Sequence, residues 1–225
     1  MHVVITAATT GEWTPASQEI NPAFSTPGNR LRVSFHRGGI GMLATAFSIS
    51  KLIGEEKPDL IIQAGIAGTF DEAMELGAVL AIADEYIGDL GVQENGVWKD
   101  LFDMKLESPD DTPFEQGGLP NTWLKTHNLL SLPTVKAVTI NEISTVPARI
   151  QQLKEKYHPV IESMEGAALH YVCRQTNTPF IQIRAVSNYV GERNKANWRM
   201  KDAIVNLNKV LLKYIEELKK VNGEW

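Results

Sequence analysis

The sequence predicts an α/β fold in which helices cover both faces of one central, mixed β-sheet. Short runs rich in β-branched residues alternate along the chain with longer segments whose apolar residues recur every three or four positions. The chain has 225 residues, of which 43% are hydrophobic and 22% charged, the profile of an ordinary globular domain. Strands that alternate with helices build a sheet covered on both faces. We therefore expect a single three-layer α/β/α domain over residues 1–225.

The strands are predicted from apolar runs that end at turn-forming residues. Residues 3–8 form the first run, which ends at a Thr-Thr-Gly cluster. Residues 60–62 form another and lead into the small-residue segment 64–69, which we expect to be a turn where backbone approaches a ligand. Further strands are predicted over 31–35, 78–87, 134–140 and 179–187.

The helices are predicted from apolar residues at helical spacing. Helices are expected over 41–55, 147–157 and 164–175, and the clearest is the last, whose apolar stripe runs from Ala203 to Leu218. The segment 88–120 fits neither pattern because it mixes acidic residues with proline and glycine. We expect it to be a long excursion from the domain.

The net charge and the cysteine content argue against several classes of protein. The formal net charge of −5 argues against a nucleic-acid binder, whose affinity comes from Lys and Arg. Cys173 is the one cysteine, so no internal disulfide forms, and we expect a packed apolar role for it. The chain shows no basic leader and no apolar stretch of about 18 residues. We expect a cytoplasmic protein without a membrane segment.

Common cofactor and metal motifs are missing from the sequence. It contains no P-loop, no complete dinucleotide-binding turn, no Gly-x-Ser-x-Gly and no His-Glu-x-x-His. The histidines at 36, 127, 158 and 170 do not follow metal-ligand spacing, so core or surface roles are expected for them. No cofactor and no metal are predicted, and catalysis would rest on carboxylates, amides and backbone groups.

Polar residues at predicted strand ends are the candidates for such a site. Glu12 follows the first strand, Glu165 begins a helix, and Asn188 follows the last strong strand. Each glutamate also has a structural explanation. Glu12 fits an exposed residue in the first turn of a helix, and Glu165 fits a cap of its own helix. The residues alone leave these alternatives open.

Four segments resemble the successive motifs of the nucleoside phosphorylase and nucleosidase superfamily. They are Gly39-Ile40-Gly41, Ala64-Gly65-Ile66-Ala67-Gly68, Glu162-Ser163-Met164-Glu165-Gly166-Ala167-Ala168 and Arg184-Ala185-Val186-Ser187-Asn188, in the family's order and over nearly the whole chain. The resemblance implies a phosphorylase/hydrolase-like fold, a purine nucleoside as substrate and a homo-oligomer.

The resemblance also implies roles for individual positions. Glu12 matches the carboxylate that activates the attacking water, and Met164 with Glu165 matches the pair that holds the ribose. Asn188 matches the position that binds the purine edge at N7. The pocket-lining positions that match are Ile40, Ile66, Ala67 and Gly68.

Asn188 is the informative departure, because the adenosine-type nucleosidases carry Asp there. An amide presents a fixed NH₂ donor and a fixed carbonyl acceptor, which suits a 6-oxopurine such as hypoxanthine better than adenine. The same Asn cannot act as an acid, so leaving-group help would come from hydrogen bonding or from water. The motif continues as Ser187-Asn188-Tyr189-Val190, followed by Arg193 and Trp198.

Hydrolysis is favoured over phosphorolysis, because residues 62–65 lack the Arg that related phosphorylases carry near this segment. Three other arginines could still reach inward to bind phosphate: Arg30, Arg32 and Arg37.

A purine nucleoside phosphorylase, or a nucleosidase for thio- or homocysteine-bearing adenosines, is the alternative function within the family. A catalytically silent purine-binding module is the alternative from another class. For a substrate with a carboxylate at its non-purine end, the candidate counter-charges are Arg193, Arg199 and Arg149.

Overall fold

The computed structural model describes residues 1–24 and 31–221, and its centre is one mixed β-sheet of eight strands. The strands are β1 (His2–Ala7), β2 (Arg32–Arg37), β3 (Leu60–Thr69), β4 (Val79–Ile87), β7 (Leu119–Pro120), β8 (Thr134–Thr139), β9 (Ile161–Ser163) and β10 (Phe180–Tyr189). Strands β5 (Gly91–Glu94) and β6 (Val97–Asp100) form a separate antiparallel hairpin.

The sheet combines a parallel half with a ring. Strands β2, β1, β3 and β10 run parallel to one another in that spatial order. Strand β10 then pairs antiparallel with β4, and β4, β8 and β9 lead back to β3. Five strands therefore close on themselves, while β1 and β2 extend the sheet beyond the ring.

Helices cover both faces of the parallel half. They are α1 (Thr14–Phe24), α2 (Met42–Glu56), α3 (Leu124–His127), α4 (Pro147–Tyr157), α5 (Gly166–Gln175) and α6 (Met200–Val221). Strand β1 shows the alternation, because Val3 and Ile5 pack with residues of α1 and α6, whereas Val4 packs with residues of α2 and α5. The predicted three layers and mixed sheet are confirmed.

Several element predictions are confirmed and one is wrong. The helix over 147–157 has the predicted bounds, and the last helix extends the predicted stripe at both ends. Segment 64–69 is not a turn, because β3 continues through it to Thr69 with β10 on one side. Its small residues leave room for neighbouring side chains instead. The excursion over 88–120 holds the β5–β6 hairpin, and helices α1 and α3 were not predicted.

Among the residues that the structure describes, no helix is both long and apolar enough to cross a membrane. Cys173 is fully buried among apolar residues of α2, α5 and β10, and burial raises the pKa of its thiol. Its predicted packing role is confirmed.

Candidate functional site

A cavity of about 380 Å³ lies where the parallel strands β1, β3 and β10 end. Parallel strands bring their carboxyl ends to one edge of a sheet, so residues far apart in the chain meet there. Segments that follow β8 and β9 complete the walls. All eight residues singled out from the sequence line this cavity: Glu12, Ile40, Ile66, Ala67, Gly68, Met164, Glu165 and Asn188.

Glu12 is held by backbone and side-chain donors. It ends a short 3-10 turn, Thr10–Glu12, and is only 8% exposed. One carboxylate oxygen, Oε2, accepts from the backbone N–H and the hydroxyl of Thr9 at 2.9 and 3.1 Å. The other, Oε1, accepts from the N–H of Ile66 at 3.2 Å. The alternative of an exposed helical glutamate is wrong, because three donors fix a buried carboxylate at the cavity wall.

Asn208 of α6 supports the turn that carries Glu12. This side chain is 3% exposed and donates from Nδ2 to the Glu12 carbonyl at 2.9 Å. Its Oδ1 accepts from the N–H of Ala16 in α1 at 2.8 Å. The last helix therefore fixes the backbone at the end of the turn and at the start of α1. An asparagine next to the apolar stripe of α6 is the signal for this role in the sequence.

Glu165 lies at the N-terminal boundary of α5 and does not cap its own helix through its side chain. It is 7% exposed, and its Oε1 accepts from the backbone N–H of Gly41 at 3.1 Å. Its Oε2 lies 3.5 Å from Nη1 of Arg184. The capping alternative is therefore wrong, and the carboxylate is paired with a buried cation.

Arg184 is a buried cation to which the sequence analysis assigned no role. It is 1% exposed in the middle of β10, where its Nη2 donates to Oε1 of Gln63 at 2.8 Å. A side chain at Gly65 would start 2.2 Å from the Arg184 guanidinium and 3.2 Å from Glu12 Oε1. A side chain at position 65 would displace the Arg184 guanidinium from its pairing with Glu165, which favours glycine there. A lone arginine within the apolar run 180–186 was the available signal.

Asn188 has a defined amide orientation. Its Oδ1 accepts from the Ser187 hydroxyl at 2.8 Å, and its Nδ2 donates to the carbonyl of Tyr189 at 2.9 Å. These partners place the nitrogen beside Tyr189 and leave it a second N–H. An ionised Asp would place a carboxylate oxygen against that carbonyl, so the local structure suits an amide.

Glu85 is a fully buried carboxyl beneath the start of α5. It accepts from the Thr139 hydroxyl at 2.8 Å and from Nε2 of Gln182 at 3.1 Å. Burial raises the pKa of Glu85 to about 7, although Thr139 and the nearby Arg184 oppose the shift. A side chain at Gly166 would start 2.2 Å from Glu85 Oε2. The carboxyl is therefore enclosed.

Stability should fall as Glu85 ionises. The pKa of Glu85 is higher in the folded state than in the unfolded chain. The free energy of unfolding therefore falls by about 3 kcal/mol as the pH rises from about 4.5 to about 7, and it falls no further above that pH. Glu85→Gln should remove this loss because an amide does not ionise. Urea unfolding of both proteins at pH 5 and pH 8 measures the difference, and equal pH slopes would contradict the prediction.

The other arginines considered from the sequence lie elsewhere. Arg32 and Arg37 are exposed, so neither reaches inward, and Arg30 lies outside the described residues. Arg193 lines the cavity, with its guanidinium 5.5 Å from the centre of the Trp198 ring. Arg199 is 4.0 Å from Asp202. Arg149 is half-buried, 4.0 Å from the centre of the Trp98 ring, and it donates to the Gly88 carbonyl.

The histidines occupy core or surface positions. His36 lies 2.6 Å from the Ser48 hydroxyl, and His170 is fully buried with Nδ1 2.6 Å from the Leu119 carbonyl. Burial lowers the pKa of His170 to about 3, so it is neutral at physiological pH. Within residues 1–24 and 31–221, no group of three or more His, Cys, Asp or Glu side chains could hold a metal ion.

A second cavity of about 600 Å³ is open to solvent between the β5–β6 hairpin and α4. Its lysines are already paired, since Lys99 lies 2.9 Å from Glu94 and Lys156 lies 3.1 Å from Asp100. Its lining residues belong to the hairpin, the segment after it and α4, and its lysines are paired with carboxylates. We therefore place the candidate site at the smaller cavity.

Known proteins resemble this chain along most of its length. Residues 28–216 match the family model described as the phosphorylase superfamily. A 5'-methylthioadenosine/S-adenosylhomocysteine nucleosidase from Lysinibacillus sphaericus is 29% identical over 177 residues, covering 72% of this chain and 70% of the relative. A futalosine hydrolase from Thermus thermophilus is 26% identical over 180 residues, covering 80% and 79%.

Solved structures agree in fold. A 5'-methylthioadenosine/S-adenosylhomocysteine nucleosidase from Colwellia psychrerythraea, in complex with adenine, superposes with a TM-score of 0.78 at 20% identity, covering 97% of this chain and 96% of that one. A futalosine hydrolase from Helicobacter pylori gives a TM-score of 0.74 at 16% identity, covering 96% and 98%.

Proposed function

We propose, from the premise that the chain belongs to the phosphorylase superfamily, that it hydrolyses the N-ribosidic bond of a purine nucleoside. The proposed substrate is futalosine, and the products would be hypoxanthine and dehypoxanthine futalosine, a step of menaquinone biosynthesis. The observation that carries the choice of substrate is the fixed amide of Asn188 in a cavity that is also lined by the buried carboxyl groups of Glu12, Glu162 and Glu165. The Thermus thermophilus relative supports it.

The ribose would lie between Met164 and Glu165. Cleavage of an N-ribosidic bond passes through a sugar that resembles an oxocarbenium ion, so negative charge beside the ring stabilises the transition state. The Glu165 carboxylate would accept hydrogen bonds from the 2′ and 3′ hydroxyls. Its pairing with Arg184 and Gly41 fixes its position before substrate arrives. Met164 would pack against the sugar.

Glu12 would accept the proton of the attacking water. All three of its donors are groups of the protein, and both of its oxygens act as acceptors. A carboxylate held in this form can act as a general base. The departing base would receive hydrogen bonds from Asn188, since an amide cannot supply a proton. The pocket walls at Ile40, Ile66, Ala67 and Gly68 would enclose the purine.

Water rather than phosphate is the proposed nucleophile. Phosphate needs several cationic donors around it. Arg184 is the fully buried arginine at this site, and Glu165 and Gln63 already engage it. Arg32 and Arg37 face solvent. These placements leave no cluster of free arginines at the cavity among the described residues.

Arg193 would serve the non-purine end of futalosine, which carries an aromatic carboxylate. It is the one arginine of the three considered that lines the cavity, and it is exposed at the rim beside Trp198. A cation and an aromatic face together would suit an aromatic acid.

A homo-oligomer and a cytoplasmic location complete the proposal. Leu43 and Phe47 of α2 are 86% and 73% exposed, one turn apart, next to Ile40 at the cavity rim. Exposed apolar side chains of this kind are often covered by another subunit.

An assay of base release tests the proposed function. We expect hypoxanthine to be released from futalosine without phosphate, and faster than adenine from methylthioadenosine or S-adenosylhomocysteine. Chromatography of the released base, with and without phosphate, measures both comparisons. Phosphate-dependent turnover would instead indicate a phosphorylase. A preference for the adenine nucleosides would indicate the activity named for the Lysinibacillus sphaericus relative.

A further inference from the structure

Glu85 belongs to a buried chain of polar side chains to which the proposed reaction assigns no role. Its Oε1 contacts the Thr139 hydroxyl at 2.8 Å, and its Oε2 contacts the Gln182 amide at 3.1 Å. The Gln182 amide also interacts with the ring of His170, where it opposes the fall in pKa that burial causes. All four side chains are fully buried. Their polar atoms therefore need partners within the protein.

Two atoms of this chain lack a donor when Glu85 is a carboxylate. Nδ1 of His170 lies 2.6 Å from the Leu119 carbonyl, which only accepts, so Nδ1 carries the ring hydrogen and Nε2 is an acceptor. When the Gln182 amide donates to Glu85, its Oε1 is an acceptor as well. Neither His170 Nε2 nor Gln182 Oε1 has a hydrogen-bond partner. Two buried acceptors without donors are costly.

A protonated Glu85 would supply the missing donors. Its O–H would donate to Oε1 of Gln182 once the amide is turned, and the NH₂ group would then face Nε2 of His170. Thr139 would still donate to the other oxygen of Glu85. One proton and one amide rotation thus give both acceptors a donor. The buried groups therefore favour the neutral form of the carboxyl.

The chain is attached to the first turn of α5, which directly follows Glu165. The Thr139 hydroxyl accepts from the backbone N–H of Ala167 at 2.8 Å. Gly166 packs directly on Glu85, since a Cβ atom at position 166 would start 2.2 Å from Glu85 Oε2. Glu85 and Thr139 therefore support the backbone from which the Glu165 side chain reaches the cavity.

The charge of Glu85 also affects Glu165. Burial raises the pKa of Glu85; the guanidinium of Arg184 opposes this shift, and the Glu165 carboxyl adds to it. The hydroxyl and the amide that contact Glu85 carry no charge, and His170 is neutral. An ionised Glu85 would therefore compete with Glu165 for the same buried cation.

We propose that Glu85 is a positioning residue that acts as a neutral carboxylic acid: it supports the start of α5 and leaves Arg184 to Glu165, so the ribose is held tightly while Glu85 keeps its proton. Glu85 is fully buried and does not line the cavity, so it acts through Glu165. This inference rests on the proposed function, in which Glu165 binds the ribose.

Glu85→Gln tests the proposal because glutamine copies the neutral carboxyl, with a carbonyl for Thr139 and an NH₂ donor for Gln182. With a pKa of about 7, Glu85 goes from about nine-tenths neutral at pH 6 to about one-tenth at pH 8. Nucleoside affinity should therefore fall about 10-fold over this range while Glu85 is present. The Glu85→Gln variant should bind equally tightly at pH 6 and keep that affinity at pH 8.

Calorimetric titration measures these affinities in a Glu12→Gln background, where slow turnover leaves the nucleoside intact. Futalosine and methylthioadenosine are the two probes, because both carry the 2′ and 3′ hydroxyls. Asp84→Asn is the matched control: it removes the neighbouring, half-buried carboxylate of β4, whose side chain points to the other face of the strand. It should keep the pH dependence seen with Glu85.

Infrared difference spectra give a readout that needs no ligand. The spectrum of the protein with Glu85, minus that of the Glu85→Gln variant, should show the carbonyl band of a protonated carboxyl at pH 6 and its loss at pH 8. Thermal unfolding shows that each variant folds.

The outcomes separate this inference from the proposed function. Affinity that falls as steeply with pH in Glu85→Gln would overturn the positioning role, and so would weak binding by the folded variant at pH 6. Absence of the infrared band at pH 6 would overturn the neutral state. A parent protein that binds nucleoside with this pH dependence but releases no base would overturn the proposed reaction and leave the role of Glu85 in place.

Discussion

Glu12→Gln should lower the rate of base release by roughly 10²- to 10⁴-fold, because glutamine cannot accept a proton from water. Both carboxylate oxygens accept from backbone N–H groups, so an amide leaves one N–H facing an NH₂ group. That mismatch adds a stability loss of about 1–3 kcal/mol. Nucleoside should still bind, since Glu12 contacts the water rather than the base in the proposed geometry.

The measurements for Glu12 are single-turnover base release and calorimetric binding of the nucleoside. Glu19→Gln, an exposed carboxylate in the following helix, is the matched control and should retain full activity. Unchanged turnover in the Glu12 variant, with tight binding retained, would show that Glu12 does no chemistry. If the parent protein also bound nucleoside without turnover, a purine-binding module would become the better description.

Arg184→Met should destabilise the fold by about 3–5 kcal/mol, because it leaves the buried Glu165 carboxylate without its cation. Methionine fills a similar volume, so lost packing contributes little. Combining it with Glu165→Gln should recover much of the loss, since the buried charge is then removed. Activity should not recover in the double variant, because Glu165 would no longer hold the ribose as a carboxylate.

Urea unfolding of the parent protein, both single variants and the double variant gives this coupling energy. Arg32→Met removes an exposed arginine 3.6 Å from Glu56 and should cost less than about 1 kcal/mol. Strictly additive losses for Arg184 and Glu165 would show that the two groups do not depend on each other.

The sequence predicted the elements whose patterns are local. The helix over 147–157 begins at a proline and carries its apolar residues at helical spacing, so its bounds could be read directly. Segment 64–69 was wrongly predicted to be a turn because its small residues are typical of turns. Gly65 and Gly68 are small because Arg184 and Asn188 come within contact distance of them from β10. That reason exists only once the two strands are paired.

The candidate site shows the same limit. Strand ends and motif order brought Glu12, Glu165 and Asn188 together correctly, since parallel strands share one edge. Contacts between side chains of different strands could not be predicted from the sequence. The contacts of Arg184 with Glu165 and of Glu85 with Gln182 depend on register, which no spacing in the sequence encodes.

The contact between Asn208 and Glu12 has a consequence for how the protein is made. The two residues are 196 positions apart, so the turn that carries Glu12 is fixed only after the last helix has docked. On the ribosome, β1 and the Glu12 turn emerge long before α6, and domains complete their packing late when contacts are this distant. The nascent chain therefore gains this support for the Glu12 turn only after α6 has been made, when every strand of the sheet described above already exists.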